Sequence, residues 1–359
     1  MELELKKEAA VDLLTISSMG VRLVPADRQP VHTSYLFELQ STSAETNVLN
    51  IAASLGLNTK VLTRFVEDSP IAAFIKGELR KRNIAFEGKE VAAYSPWGVR
   101  HQFNIADAGF GARGPRVYND RAGEVGRTIN EADFDFARIF QKDGCRILHL
   151  SGLIAAMSDE TSKACLAAAR AAKENGALVA FDLNYRASFW KGRKQELLAT
   201  FKAIAAVSDI LIGNEEDFQL ALGIAGPPAG GSGITDKIDS FKGMIERVAE
   251  AYPEVRVFAT TLREVEDANR HQWGAILRVN DTWYEERPRP IDVYDRLGGG
   301  DGFVGGLLYG ILRGWEAEKW LQFGWAAGVL AVTVATDYAT PYDEEQVWSI
   351  YKGNARIIR

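Results

Sequence analysis

The stretch Asp295-Arg-Leu-Gly-Gly-Gly-Asp301-Gly-Phe303 runs a triple glycine into an acid and then into an apolar, helix-like segment ending near residue 312. Glycines let backbone approach a ligand closely, and the first unpaired amides of a helix, with its dipole, attract negative charge. Asp301 falls in that first turn. A carboxylate beside an anion site is electrostatically awkward unless a positive group, or a proton in transfer, comes between them. The same residues would also fit an ordinary turn in which Asp301 caps the helix.

Working outward, the alternation of strand and helix is clearest around residues 146–261. Runs at 177–181, 209–212 and 256–259, apolar apart from the leading Asp209 and Arg256, each end in polar residues: Asp182-Leu-Asn184-Tyr-Arg186, Asn214-Glu215-Glu216-Asp217 and Thr260-Thr261. Parallel strands read as continuous apolar runs, and open parallel sheets bind ligands beyond the carboxyl ends of their strands. Three strands thus deliver polar groups to one edge. Taken singly, Asp182 and Asn184 could cap a strand, and 215–217 could be an acidic first helical turn.

Upstream, residues 11–16 and 59–65 read as strands, and 45–55 and 71–81 as amphipathic helices. Two stretches break the rhythm. Residues 17–40 alternate in short strand-like pieces, and 91–125 mix such pieces with a glycine-rich turn. Gly109-Phe-Gly111-Ala-Arg-Gly114 has dinucleotide-fingerprint spacing, but Pro115 and a strand-like run follow it where a helix is required, so it reads as a loop. Downstream, 225–234 and the charged 264–270 read as loops, 273–279 and 282–284 as a hairpin turning at Asn280-Asp281, and 316–334 and 344–351 as helices.

The chain has 359 residues, 47% hydrophobic and 25% charged, with formal net charge -6. That is an ordinary globular composition, and its sign disfavours a nucleic-acid or anionic-membrane surface. Cys145 and Cys165 lie in apolar runs, as buried thiols in a reducing compartment would, and the charged N-terminus has no signal-peptide core, so a cytoplasmic location is expected. The apolar run 325–335 is too short to span a bilayer. The four histidines show no metal-binding spacing, and no Gly-x-x-x-x-Gly-Lys-Ser/Thr loop is present.

Asp295-x-x-Gly298-Gly299-Gly300-Asp301-x-Phe303, together with Phe181-Asp-Leu-Asn-Tyr-Arg186, Ile212-Gly-Asn-Glu-Glu216 and Thr261-Leu-Arg263, resembles the ribokinase-like (PfkB) carbohydrate kinases over nearly the whole chain. Asp-Arg before the glycines and the Asp-Leu-Asn-Tyr-Arg stretch resemble, more narrowly, the 2-keto-3-deoxygluconate kinases. The resemblance implies one α/β domain over 1–359, a three-layer sandwich with a mainly parallel central sheet and a small β lid from about 21–40 and 91–125. It implies an ATP- and Mg2+-dependent kinase, acting on 2-keto-3-deoxygluconate or, alternatively, as a fructokinase or dehydro-deoxygluconokinase. A sensor that keeps the fold without catalysis is a further alternative.

By the same resemblance Asp301 is the catalytic base, and Gly298, Gly299 and Gly300 present the anion hole. Asn214, Thr261 and Arg263 meet ATP, while Glu216 or Asp217 holds Mg2+ through water. Arg186, Asn47, Thr42 and Ser43 meet the substrate, and a homodimer through the lid is expected, without nucleic-acid or membrane partners. Arg186 suits a sugar-acid carboxylate because a guanidinium bonds it bidentately; pairing with Asp182 is the alternative. Thr42-Ser43 stands where these kinases carry a glycine pair, and Arg263 where many carry glycine.

Overall fold

The computed structural model describes residues 3–214, 216–227 and 233–355, so Glu215 and part of the 225–234 loop lie outside the described residues. Among the described residues the main sheet has nine strands: β1 Val11–Ile16, β4 Thr59–Val66, β5 Ile84–Val91, β8 Cys145–Ser151, β9 Leu178–Asp182, β10 Ile210–Asn214, β11 Val257–Val265, β12 Arg270–Val279 and β13 Thr282–Asp292. Their order is β13-β12-β11-β10-β9-β8-β1-β4-β5, and every pairing from β11 to β5 is parallel. β12 and β13 close one edge as an antiparallel hairpin ribbon.

Side chains alternate along each strand, which gives the sheet two apolar faces. Leu13, Ile147, Ile210 and Ile212 enter one core with helices Ala44–Ser54, Gly299–Leu312 and Ala317–Val332. Leu14, Ile16, Leu148, Leu150 and Leu211 enter the other with helices Asp159–Glu174, Lys194–Ala205 and Ile238–Ala251. Helices on both faces of a mainly parallel sheet make the three-layer sandwich. Serines start several of these helices: Ser43, Ser69 and Ser158 each accept an amide of the first turn. Gly305 lets two helices touch, since a Cβ there would lie 2.6 Å from the carbonyl of Val48.

A second sheet of four strands, β3-β2-β6-β7, uses β2 Gly20–Pro25, β3 Phe37–Thr42, β6 Gln102–Ala106 and β7 Val117–Asp120. The two stretches outside the α/β rhythm supply it. Its outer pairings are antiparallel and its central β2–β6 pairing is parallel. Arg22 of β2 forms an ion pair with Asp295, both side chains at most 1% exposed, which anchors this lid sheet to the glycine turn.

One reading changes at its ends, and one strand is new. The loop read at 264–270 is shorter than expected, confined to 266–269: β11 runs to Val265 and β12 begins at Arg270, and Asp267 folds the connection tightly by accepting the amides of Asn269 at 2.8 Å and Arg270 at 2.9 Å. β5 was not visible in the sequence, since it is an edge strand with mostly exposed or half-exposed residues and no apolar run. The turn at Asn280 between β12 and β13 stands, with a left-handed φ of 49°. Among the described residues no helix is long and apolar enough to cross a membrane.

Candidate active site

A cleft of about 1080 Å3 opens between the carboxyl ends of β9, β10 and β11 and the lid. Its wall includes Thr42, Ser43, Asn47, Arg186, Asn214, Glu216, Asp217, Thr261, Arg263, Gly298, Gly300 and Asp301, which gathers the sequence-predicted residues except Gly299, buried just beneath.

The glycine turn is built for close approach. Gly298 is the N-cap of helix Gly299–Leu312, with φ 82°, and a Cβ there would overlap the carbonyl of Asp337. Among the described residues no side chain caps this helix, so its first amides stay available to an anion. Gly300 has nothing within 4 Å of its Cβ position. Asp301 is the third residue of the helix, which removes the reading of Asp301 as an N-cap.

Asn47, from helix Ala44–Ser54, donates from Nδ2 to Oδ2 of Asp301 at 2.9 Å. Burial pushes the Asp301 carboxyl up to about 7; the Asn47 hydrogen bond pulls the other way, while the charges of Asp337 and Glu45 add to the rise. A base with a pKa near neutrality takes a proton readily and is still largely ionised in mildly alkaline solution.

The acidic strand end divides its labour. Asp217 accepts the amides of Asn214 at 2.9 Å and Tyr185 at 3.1 Å, and Asn214 Oδ1 accepts those of Glu216 at 2.7 Å and Asp217 at 3.0 Å. Asp217 therefore ties the ends of β10 and β9 together. Glu216 is exposed and makes no side-chain hydrogen bond or ion pair among the described residues, so it is the carboxylate open to the cleft. No group of three or more His, Cys, Asp or Glu among the described residues is placed to hold a metal. An open carboxylate with few protein ligands fits a Mg2+ ion that keeps its waters and leans on phosphates.

Arg186 is exposed at the cleft and donates to the carbonyl of Tyr185 at 2.8 Å. It forms no ion pair with Asp182 or any other carboxylate of the described residues. Thr42 and Ser43 reach the wall, but their hydroxyls are engaged: Thr42 with the Asp337 carboxylate, and Ser43 with the Thr46 amide at 3.0 Å and the Ser17 hydroxyl at 2.8 Å. Both residues line the cleft with their hydroxyls already bonded to protein groups.

Several further residues, to which the sequence reading gave no role in the chemistry, belong to the site. Asp182 lines the cleft, its carboxyl pushed well above the usual range by burial and by the charges of Asp217 and Asp301. Asp337 lies against both Thr42 and Gly298. From the lid come Gln102 and Asn104, whose buried side-chain carbonyl oxygens lack partners among the described residues, as does Oδ1 of Asn47. The position of Asp182 at a strand's carboxyl end was a usable signal; the others are assembled by tertiary contact alone.

Glycine turn, buried acid and lid enclose one cleft of a size for small molecules. The model of the pfkB family carbohydrate kinases matches residues 44–343, and the chain belongs to that family. It is 26% identical over 353 residues to the 2-dehydro-3-deoxygalactonokinase of Haloferax volcanii, covering 97% of this chain and 99% of that one. The crystal structure of 2-dehydro-3-deoxygluconokinase from Thermotoga maritima is similar with a TM-score of 0.85 at 27% identity, covering 97% of this chain and 100% of that one. An E. coli protein assigned as ribokinase II, solved with ATP and Mg2+, shares the fold at a TM-score of 0.75 and 18% identity, covering 96% and 99%.

Proposed function

We propose that this kinase transfers the γ-phosphoryl group of ATP to the terminal primary hydroxyl of a 2-keto-3-deoxy sugar acid, with 2-keto-3-deoxygluconate as the substrate and its 6-phosphate as the product. The observation that carries the reading is Asp301: a buried carboxyl with a pKa near 7, held by Asn47, in the same first turn as the uncapped helix amides. Asp301 takes the hydroxyl proton as that oxygen attacks phosphorus, the bond to the ADP oxygen breaks, and the amides of Gly299 and Gly300 receive charge on the transferred group. Arg186, free of any carboxylate among the described residues, meets the substrate carboxylate. The unpartnered carbonyl oxygens of Asn47, Gln102 and Asn104 accept sugar hydroxyls.

Asn214, Thr261 and Arg263 form the nucleotide wall, and Glu216, helped by Asp217, holds Mg2+ through water, which would neutralise phosphate charge. The whole chain acts as one unit, with the lid excluding water. Tyr35 at 98%, Trp97 at 93% and Tyr118 at 67% exposure leave an aromatic surface on the lid side, which supports pairing of two copies there. The free, buried Cys145 and Cys165 are in keeping with a cytoplasmic enzyme.

A second reading, the galactonate epimer, is favoured by the Haloferax relative. An ADP-release assay across gluconate- and galactonate-derived keto-deoxy acids, 5-dehydro-2-deoxygluconate and fructose separates the candidates. Nucleotide binding without ADP release from any of them would favour a sensor.

A further inference from the structure

Arg296, between the buried Asp295 and the glycine turn, is absorbed by none of these roles. It is half-buried, lines the cleft, and makes no hydrogen bond or ion pair among the described residues. Its neighbour cannot neutralise it fully, because Asp295 is already engaged by the buried guanidinium of Arg22 and accepts the amide of Leu297 at 3.0 Å. Two arginines thus stand beside one aspartate, and Arg22 holds it. A partly desolvated cation that shares its one neighbouring carboxylate with a second arginine is costly unless an anion arrives.

The surroundings indicate which anion. The charge of Arg186 reaches Asp182, Asp217 and Asp301. The charges of Arg296 and Arg263 instead fall together on His271, at the end where β11 brings Thr261 and Arg263 to the cleft. Arg296 therefore belongs to the nucleotide wall, not to the sugar-acid end, and it sits beside the amides that receive the transferred phosphoryl group.

We propose that Arg296 is a phosphate-binding residue that grips the polyphosphate of the nucleotide, its guanidinium bonding phosphate oxygens next to those taken by the glycine turn. This rests on the reading of the cleft as an ATP site. A planar guanidinium matches phosphate geometry in a way an ammonium does not, so lysine should replace it only in part.

Titration calorimetry of the full chain with ATP, ADP and adenosine, without sugar, paired with steady-state kinetics, tests the assignment. Arg296→Met should weaken ATP and ADP binding by about 10- to 100-fold, the range for a lost charge-assisted hydrogen bond. Adenosine affinity and the KM for the sugar acid should stay within about twofold, while Arg296→Lys, the variant least able to disturb folding, should recover part of the loss. Unchanged ATP and ADP affinity in both variants, or a rise in the sugar-acid KM with nucleotide affinity intact, overturns the proposal. Failure of the wild-type protein to bind ATP would instead overturn the reading of the cleft, so the two failures are distinguishable.

Discussion

Asn47 holds Asp301 by a 2.9 Å hydrogen bond across 254 positions of sequence, joining the first long helix to the glycine-turn helix at the point where chemistry is proposed. The bond favours the ionised carboxylate, opposing the burial that raises its pKa. Asn47→Leu should therefore raise the pKa of Asp301 further. The acid limb of the kcat/KM profile should move to higher pH, with a rate loss at pH 7 of about tenfold or more. A limb that stays in place would separate Asn47 from the base.

The same pKa has a consequence for stability. Asp301 ionises near 7 in the folded protein and near 4 when unfolded, so the unfolded state releases its proton first. Its stabilising contribution is full below the ordinary aspartate value and is lost as pH rises through about 7. Asp301→Asn, which removes the ionisation, should melt above wild type at pH 8 by roughly 2–5 °C, and the gap should close toward pH 4. Equal melting temperatures at both pH values would count against a strained carboxylate.

The Arg22–Asp295 pair is almost wholly buried. Removing one partner strands the other, so Arg22→Met should cost about 3–5 kcal/mol in urea unfolding. Adding Asp295→Asn should return much of that loss. If the double variant is as unstable as the single one, lost packing and not an unpaired charge is responsible.

Gly298 combines a left-handed φ of 82° with contact against the Asp337 carbonyl. Gly298→Ala should strain the turn and displace the helix amides, lowering kcat by about 10- to 100-fold with a smaller change in sugar KM. Loss confined to KM would place the turn in binding alone.

How much of this was legible follows from where each signal resides. The strands β9, β10 and β11 could be read because each is an apolar run that changes to polar residues at its carboxyl end, and Asp301 stood out because three glycines precede it. β5 could not, since an edge strand has one solvent-facing side and carries Glu87, Lys89 and Glu90 where a core strand would be apolar. Asp337 acquires its place only by packing on Gly298 and Thr42, contacts that span 39 and 295 positions and leave no local pattern. The Thr42-Ser43 pair was visible as a departure, but that its hydroxyls turn inward depends on Ser17, Thr46 and Asp337.

The role of Asp301 as the base of a sugar-acid kinase is tested most directly by single-turnover ADP release with 2-keto-3-deoxygluconate, wild type against Asp301→Asn. The expected result is rapid release by the wild type, and in the variant a loss of about 10²- to 10⁴-fold with ATP binding retained. A variant that turns over at near the wild-type rate would contradict the account.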